Sequence, residues 1–256
     1  MKTSLRIIGF CWLLFLETVM GQIQPGTVLW SYDLGSIIVS SPALGSNNTV
    51  YVGSSSAFYA VTNAGPVVSN KWTFGAGLSL DNSSPAVGAD GTIYFIGGSS
   101  NALFAVNPDG TQKWAVFKGG SGGTPAIGFD NTIYFQDYTG FYAITPSGDV
   151  RWKLLIGDGQ PSSPVIGPDG TIYICSWEFP KICAIFPGGL QKWCRDLSNS
   201  PGDSPAISPN GILYVPGQPL CALAPDGTNI WSLDLGMRLD GPPVVGKSGT
   251  IYVAAS

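Results

Sequence analysis

Histidine is absent from all 256 residues of the chain. That single gap removes the commonest general base, the Ser-His-Asp arrangement, the usual zinc ligand sets and the side chain that changes charge near neutral pH. Glutamate occurs only at Glu17 and Glu178, so a carboxylate pair for glycoside chemistry would have to be built from aspartates. Charged residues make up 11% of the chain, against about 25% in an average soluble domain. No apolar run reaches the roughly 20 residues needed to span a bilayer; the stretch Ile7–Leu16 covers ten. No two cysteines are adjacent.

What the chain has in abundance is turn-forming residues, with 35 glycines and 20 prolines, a composition that argues against helical bundles. The N-terminus reads as an export signal over residues 1–21: Lys2 and Arg6 precede the apolar run, and Val19-Met20-Gly21 places small residues before Gln22. The remaining chain, 22–256, is then expected to be secreted, extracellular or periplasmic, with no transmembrane span. Losing Lys2, Arg6 and Glu17 leaves a net charge near −5, which repels phosphate backbones and excludes nucleic acid as a natural partner. Four cysteines remain, Cys175, Cys183, Cys194 and Cys221. In an oxidising compartment they allow three pairings. Cys175 and Cys183, on neighbouring strands of one hairpin, are the first candidate pair. Cys183 and Cys221 also hold a slot filled elsewhere by Tyr59, Phe104 and Tyr142, which suits small buried apolar side chains.

A sentence is repeated along the sequence. "SSPAVGADGTIYFIGG" at 83–98 returns as "SSPVIGPDGTIYI" at 162–174 and as "SPAISPNGILYV" at 204–215. Alignment on one proline gives Pro42, Pro85, Pro125, Pro164, Pro205 and Pro243. Nine residues after each stands a tyrosine: Tyr51, Tyr94, Tyr134, Tyr173, Tyr214 and Tyr252. Tryptophans fall in phase at Trp30, Trp72, Trp114, Trp152, Trp193 and Trp231. A period near 40 with four short strand signals per unit and no helical pattern between units predicts an all-β propeller of four-stranded antiparallel blades. Five units are complete; the N-terminal "TVLWSYDL" and the C-terminal "PPVVGKSGTIYVAAS" supply strands for a shared, partial sixth. The stop at Ser256 in mid-repeat leaves an arc from a longer protein as the alternative. Asp-Gly and Asn-Gly pairs such as Asp90-Gly91 predict two-residue hairpin turns of primed geometry rather than calcium ligands.

The last two strands of each unit carry a second signature, as in Ala105-Val106-Asn107-Pro108-Asp109-Gly110-Thr111-Gln112-Lys113-Trp114. It resembles the tryptophan-docking motif of the pyrroloquinoline-quinone-like (PQQ-like) repeat propellers, found in quinoprotein alcohol dehydrogenases and in the scaffold lipoprotein of outer-membrane barrel assembly. The resemblance covers residues 27–256. It implies that the tryptophans form a structural girdle tying blade to blade. It also implies, for the dehydrogenases alone, a PQQ and calcium site with an adjacent cysteine pair. That machinery has no match here, so no cofactor, metal or catalytic residue is carried over.

Loops of one face differ between copies, and variation on a rigid frame is where binding belongs. On that face the sequence places Tyr138, Trp177 and Phe179 as aromatics, and Asp81, Asp137, Asp158, Glu178, Asp203 and Asp240 as acids. The hydroxyls before the repeat proline, Ser41, Ser84, Thr124, Ser163 and Ser204, are expected to bond their own backbone. Lys71, Lys113, Arg151 and Lys192, each preceding a girdle tryptophan, are expected to guard the outer strand edge against pairing. The function expected is a secreted non-enzymatic binding or scaffold module that docks a protein or glycan partner on this face. The alternatives are a quinoprotein-type oxidoreductase, or a fragment of one, and a structural spacer of a longer extracellular protein.

Overall fold

The computed structural model describes residues 27–46, 48–64, 67–75, 83–97, 102–117, 123–156, 162–177, 179–199, 201, 203–237, 239 and 241–254. The chain divides into two compact units, 1–33 and 34–256. Residues 27–33 of the first carry no regular secondary structure. The segment read as an export signal lies outside the described residues.

The second unit is built from strands alone among its described residues. Blade 1 comprises β1 (Ala43–Leu44), β2 (Thr49–Gly53), β3 (Phe58–Ala64) and β4 (Val67–Phe74). Blade 2 comprises β5 (Ala86–Val87), β6 (Ile93–Gly97), β7 (Ala102–Val106) and β8 (Gln112–Phe117). Blade 3 follows with β9 (Ala126–Ile127), β10 (Ile133–Asp137), β11 (Gly140–Ile144) and β12 (Val150–Leu154). Blade 4 has β13 (Val165–Ile166), β14 (Ile172–Ser176), β15 (Lys181–Ile185) and β16 (Gln191–Asp196). Blade 5 has β17 (Ala206–Ile207), β18 (Leu213–Val215), β19 (Leu220–Leu223) and β20 (Asn229–Leu233). A sixth sheet holds β21 (Val244–Val245) and β22 (Ile251–Tyr252). Every complete sheet runs in sequence order with antiparallel neighbours, and the first strands of consecutive blades lie side by side.

Why these residues form these sheets follows from their alternation. The second and third strands are buried on both sides, so they read as continuous apolar runs such as IYFIG and ALFAV. Each sheet gives alternate residues to different neighbours: Tyr94 and Ile96 join the core facing blade 3, whereas Ile93 and Phe95 join the core facing blade 1. The fourth strand is solvent-edged and alternates, as in β12, where Trp152 and Leu154 are half-buried and Lys153 between them is exposed. Burial therefore sits between blades, which is what a stack of flat sheets needs for cohesion.

The in-phase tryptophans complete those interfaces. The Nε1–H of Trp72 donates to the carbonyl of Pro108 at 3.0 Å, that of Trp114 to Pro146 at 2.8 Å, that of Trp152 to Pro187 at 2.9 Å and that of Trp193 to Pro225 at 3.0 Å. Each acceptor belongs to the turn between strands three and four of the next blade. The same turns carry glycines at φ near +90°, Gly110, Gly148, Gly189 and Gly227, and a Cβ on any of them would stand within 3.0 Å of the indole. Left-handed backbone and ring contact thus require glycine for two separate reasons. The indoles are only partly buried. Full burial of a tryptophan is worth about 4–6 kcal/mol by area, and each of these contributes less.

A second tie runs around the innermost strands. The N–H of Ser41 donates to the Ser84 hydroxyl at 3.0 Å, that of Ser84 to Thr124 at 3.1 Å, that of Thr124 to Ser163 at 2.9 Å and that of Ser163 to Ser204 at 2.7 Å. These hydroxyls bond the backbone of the preceding blade rather than their own, which corrects the expectation from local hydrogen-bonding habit. The first strands approach closely enough for the hydroxyl to reach across. In the sixth unit Pro242 replaces the hydroxyl residue.

The hairpin turns also differ from the primed two-residue form. Only Gly91 of Asp90-Gly91 has positive φ, and its N–H returns to the Gly88 carbonyl at 2.9 Å, so the loop is a type I turn closed by one left-handed residue. Asp90 explains the choice: its Oδ1 accepts the Thr92 N–H at 3.0 Å and its Oδ2 the Thr92 hydroxyl at 2.8 Å. Asp130 with Thr132 and Asp169 with Thr171 repeat the arrangement.

Candidate functional site

The loops joining strands two and three, with the blade-to-blade connections, share one face of the propeller. Blade 3 contributes Tyr138 from the turn between β10 and β11, and blade 4 contributes Trp177 and Phe179 from the turn between β14 and β15. Tyr138 is 45% exposed and Phe179 is 58% exposed. Trp177 is half-buried. The ammonium of Lys181 stands 5.5 Å from the Phe179 ring centroid, a cation held on an aromatic face. Two large aromatics therefore stand out from adjacent blades, each from the loop joining strands two and three.

Asp137 does not stand out with them. It is 2% exposed, because as the last residue of β10 it is drawn into the strand pair, opposite Gly140. Its Oδ1 accepts the N–H and the hydroxyl of Thr139, both at 2.7 Å, and the Thr139 hydroxyl shares a 2.6 Å contact with that of Tyr142. Burial pushes the Asp137 carboxyl above the ordinary carboxylate range, although the Thr139 bonds, the Gly140 N–H and the charge of Lys153 pull the other way. The sequence reading of Asp137 as a surface acid is corrected accordingly. Beside it, the side-chain oxygen Oε1 of Gln136 accepts from the N–H and hydroxyl of Ser162 at 3.3 Å, joining blade 3 to the entry of blade 4.

Asp203 turns back on the chain and accepts the N–H of Ser204 at 2.5 Å, at the end of the hydroxyl series. Asp81, Asp158, Glu178 and Asp240 lie outside the described residues. Of the expected site, the structure thus brings Tyr138, Trp177 and Phe179 to the loops of neighbouring blades, with Asp137 beneath.

Of the four basic residues expected to guard the edge, Lys71 donates to the Pro108 carbonyl of the next blade at 3.3 Å, and the other three fold onto their own blade. Lys113 pairs with Asp90 at 3.3 Å, Arg151 with Asp130 at 2.6 Å and Lys192 with Asp169 at 3.2 Å. Against partial burial, the threonine bonds and these cations hold all three carboxyls below the usual carboxylate range. Exposed pairs of this kind stabilise by about 0–1 kcal/mol each. These three cations are thereby occupied within their own blades.

The cysteines pair differently from the first candidate. Cys183 is bonded to Cys194, directly across the β15–β16 ladder with Cα atoms 4.1 Å apart. Cys175 pairs in register with Ile182, one residue from Cys183, so the two thiols point to opposite sides of the sheet: Cys175 toward blade 5 and Cys183 toward blade 3. Alternation in a strand forbids the Cys175–Cys183 bridge. Cys175 is free and fully buried, and burial first, then the charge of Asp203, pushes its thiol far upward, which makes it inert. Cys221 is free and partly exposed, facing Ser232 at the position where blade 4 has its second cysteine. It lines a shallow pocket with Asn199, Gln218 and Pro219.

Among the described residues no three cysteine or acidic side chains gather as a metal site would require, and no helix is long and apolar enough to cross a membrane.

Sheets of four antiparallel strands succeeding one another with first strands side by side define a β-propeller. The sequence profile of the outer membrane protein assembly factor BamB matches residues 18–216, and the chain belongs to that family. No curated protein sequence matches it. Solved structures share the fold at low identity. BamB from Moraxella catarrhalis aligns with a TM-score of 0.59 at 14% identity, over 90% of this chain and 84% of that one. A catalytically inactive His-to-Ala variant of virginiamycin B lyase from Staphylococcus aureus, with quinupristin, aligns with a TM-score of 0.67 at 12% identity, over 88% and 86%. BBS1N, in complex with ARL6DN, aligns with a TM-score of 0.65 at 15% identity, over 85% and 74%.

Proposed function

We propose that the chain is an exported, non-enzymatic docking scaffold whose loop face engages a protein partner. The observation that carries this reading is the pair Tyr138 and Phe179, large aromatics held in the open on adjacent blades of a frame tied by indoles and hydroxyls. Aromatic side chains on rigid supports are the usual anchors of protein interfaces, because little conformational entropy is lost when they are covered. Membership of a family described as an assembly factor supports a protein partner over a glycan. The solved BBS1N propeller in complex with ARL6DN is a parallel on the same fold. In this reading the indole contacts serve cohesion, the tryptophans are not a ligand platform, and no cofactor is used. The lyase shares the fold, yet its His-to-Ala variant is catalytically inactive and this chain has no histidine, so lyase chemistry of that kind does not transfer.

The test is a double variant, Tyr138→Ala with Phe179→Ala, in the exported full chain. Loss of the co-purified partner with an unchanged melting temperature supports the proposal. Undiminished partner recovery from the double variant contradicts it.

A further inference from the structure

Asp137 holds a carboxylate oxygen that the fold does not use. Its Oδ1 takes both Thr139 bonds, whereas Oδ2 is buried and accepts nothing. Ser176, at the same place in the next repeat, is 1% exposed, and its hydroxyl also has no partner. Buried polar atoms in native proteins are almost always satisfied, and a buried charge more so. An asparagine at 137 would keep the acceptor for Thr139 without the charge. The second carboxylate oxygen therefore costs stability; the nearby Gly140 N–H and the charge of Lys153 ease that cost without giving Oδ2 a hydrogen bond.

The cation acting on it is Lys153, and the two do not form an ion pair. The Lys153 ammonium rests instead over the ring of Tyr142, 5.1 Å from its centroid. Its stem runs along the same loop: a Cβ on Gly140 would meet Lys153 Cε at 2.9 Å. The ammonium end of a lysine thus lies beside the turn that holds Asp137, on an aromatic face that an alkylammonium already occupies.

The chemistry of the acceptor narrows what fits. A hard divalent cation wants about six to eight oxygens, and one carboxylate with a neighbouring hydroxyl cannot supply them. An organic ammonium needs one strong acceptor and gains from an aromatic face, and both are present. We propose that Asp137 Oδ2 and the Tyr142 ring form a receiving site for an organic ammonium ion of the lysine side-chain type, entered by displacement of Lys153. The inference rests on the loop-face docking reading and names the chemistry that docking would recognise.

The experiment follows the side-chain carboxyl carbon of Asp137 by NMR in the full chain. One arm adds n-butylammonium chloride, a second adds the blocked tripeptide Gly-Lys-Gly, and n-butanol is the neutral control. Both ammonium probes shift the Asp137 signal and the alcohol does not. Tighter binding of the peptide identifies a protein side chain as the source, and equal binding identifies a free amine. Followed at the Tyr142 ring instead, the response to both ammonium probes is lost in Asp137→Asn, whose melting temperature rises by about 2–4 °C. Lys153→Met tightens ammonium binding several-fold by removing the competitor. Silence of Asp137 toward both ammonium probes overturns the proposal, as does a lowered melting temperature for Asp137→Asn, which would mark a structural carboxylate. Weaker binding by Lys153→Met overturns the gate. If these results fail while Tyr138→Ala with Phe179→Ala still loses the partner, the ammonium site falls alone and the docking reading stands.

Discussion

Trp114 is seated against Gly148 of the next blade, so that a Cβ on that glycine would come within 3.0 Å of the indole. The Trp114 Nε1–H reaches the Pro146 carbonyl of the same turn at 2.8 Å. Gly148 also has φ +95°. Replacing it by alanine adds left-handed strain to a steric clash. Gly148→Ala is expected to cost about 2–3 kcal/mol in denaturant unfolding. Trp114→Phe removes the hydrogen bond and part of the ring, at a cost of about 1–2 kcal/mol.

The hydroxyl series around the innermost strands makes a separate prediction. Thr124 accepts from Ser84 and donates its own N–H to Ser163. Thr124→Val keeps the shape and leaves the Ser84 N–H without its acceptor, so it is expected to destabilise by about 1–2 kcal/mol. Hydrogen exchange at the Ser84 amide checks the cause, since that amide alone should lose protection to the same extent.

The two kinds of aspartate respond to pH in opposite directions. Asp90, Asp130 and Asp169 have folded values below the ordinary 3.8, so their contribution is present above that value and is lost as pH falls through the folded values. Because these groups are half-exposed, the effect per residue is small, and the triple asparagine variant is the one to measure. It should flatten the acid limb of the stability profile. Asp137 has a raised folded value, so its ionised form is penalised and stability is recovered as pH falls through that value. The gain from Asp137→Asn should therefore be present at neutral pH and vanish in mild acid.

Thiol chemistry separates the four cysteines. Non-reducing peptide mapping should find Cys183 linked to Cys194, with Cys221 alkylated in the native state and Cys175 only after unfolding. Cys183→Ala with Cys194→Ala opens a loop of sequence separation 11 and is expected to cost about 2–3 kcal/mol.

The frame was legible in the sequence because it is written six times. Proline, tyrosine and tryptophan phases mark the strands, and the structure returns five four-stranded sheets and a two-stranded one at those marks, except at Trp30, where residues 27–33 form no strand. What escaped was set by relations that phase does not carry. Ser84 and Thr124 look like local hydroxyls until the blades are placed side by side. Cys175 and Cys183 look adjacent until strand parity is counted, and counting from Ile174 opposite Cys183 would have found it. Asp137 looks like a loop acid because the position holds Gly97 in blade 2 and Gly217 in blade 5; it is instead the last paired residue of β10, opposite Gly140, and the ladder draws it in. Tyr138 and Phe179 sit in loops that differ between copies, and the exposure expected of them there is what the structure shows.

Docking on the loop face is tested most directly by site-specific photo-crosslinking in cells that express the full chain. A photoreactive side chain is placed at Tyr138, at Phe179 and, on the opposite turn face, at Phe129, which is itself 78% exposed. Covalent capture of one and the same protein from positions 138 and 179, with none from 129, is the predicted result. Capture from 129 alone would place the partner on the turn face and contradict the account.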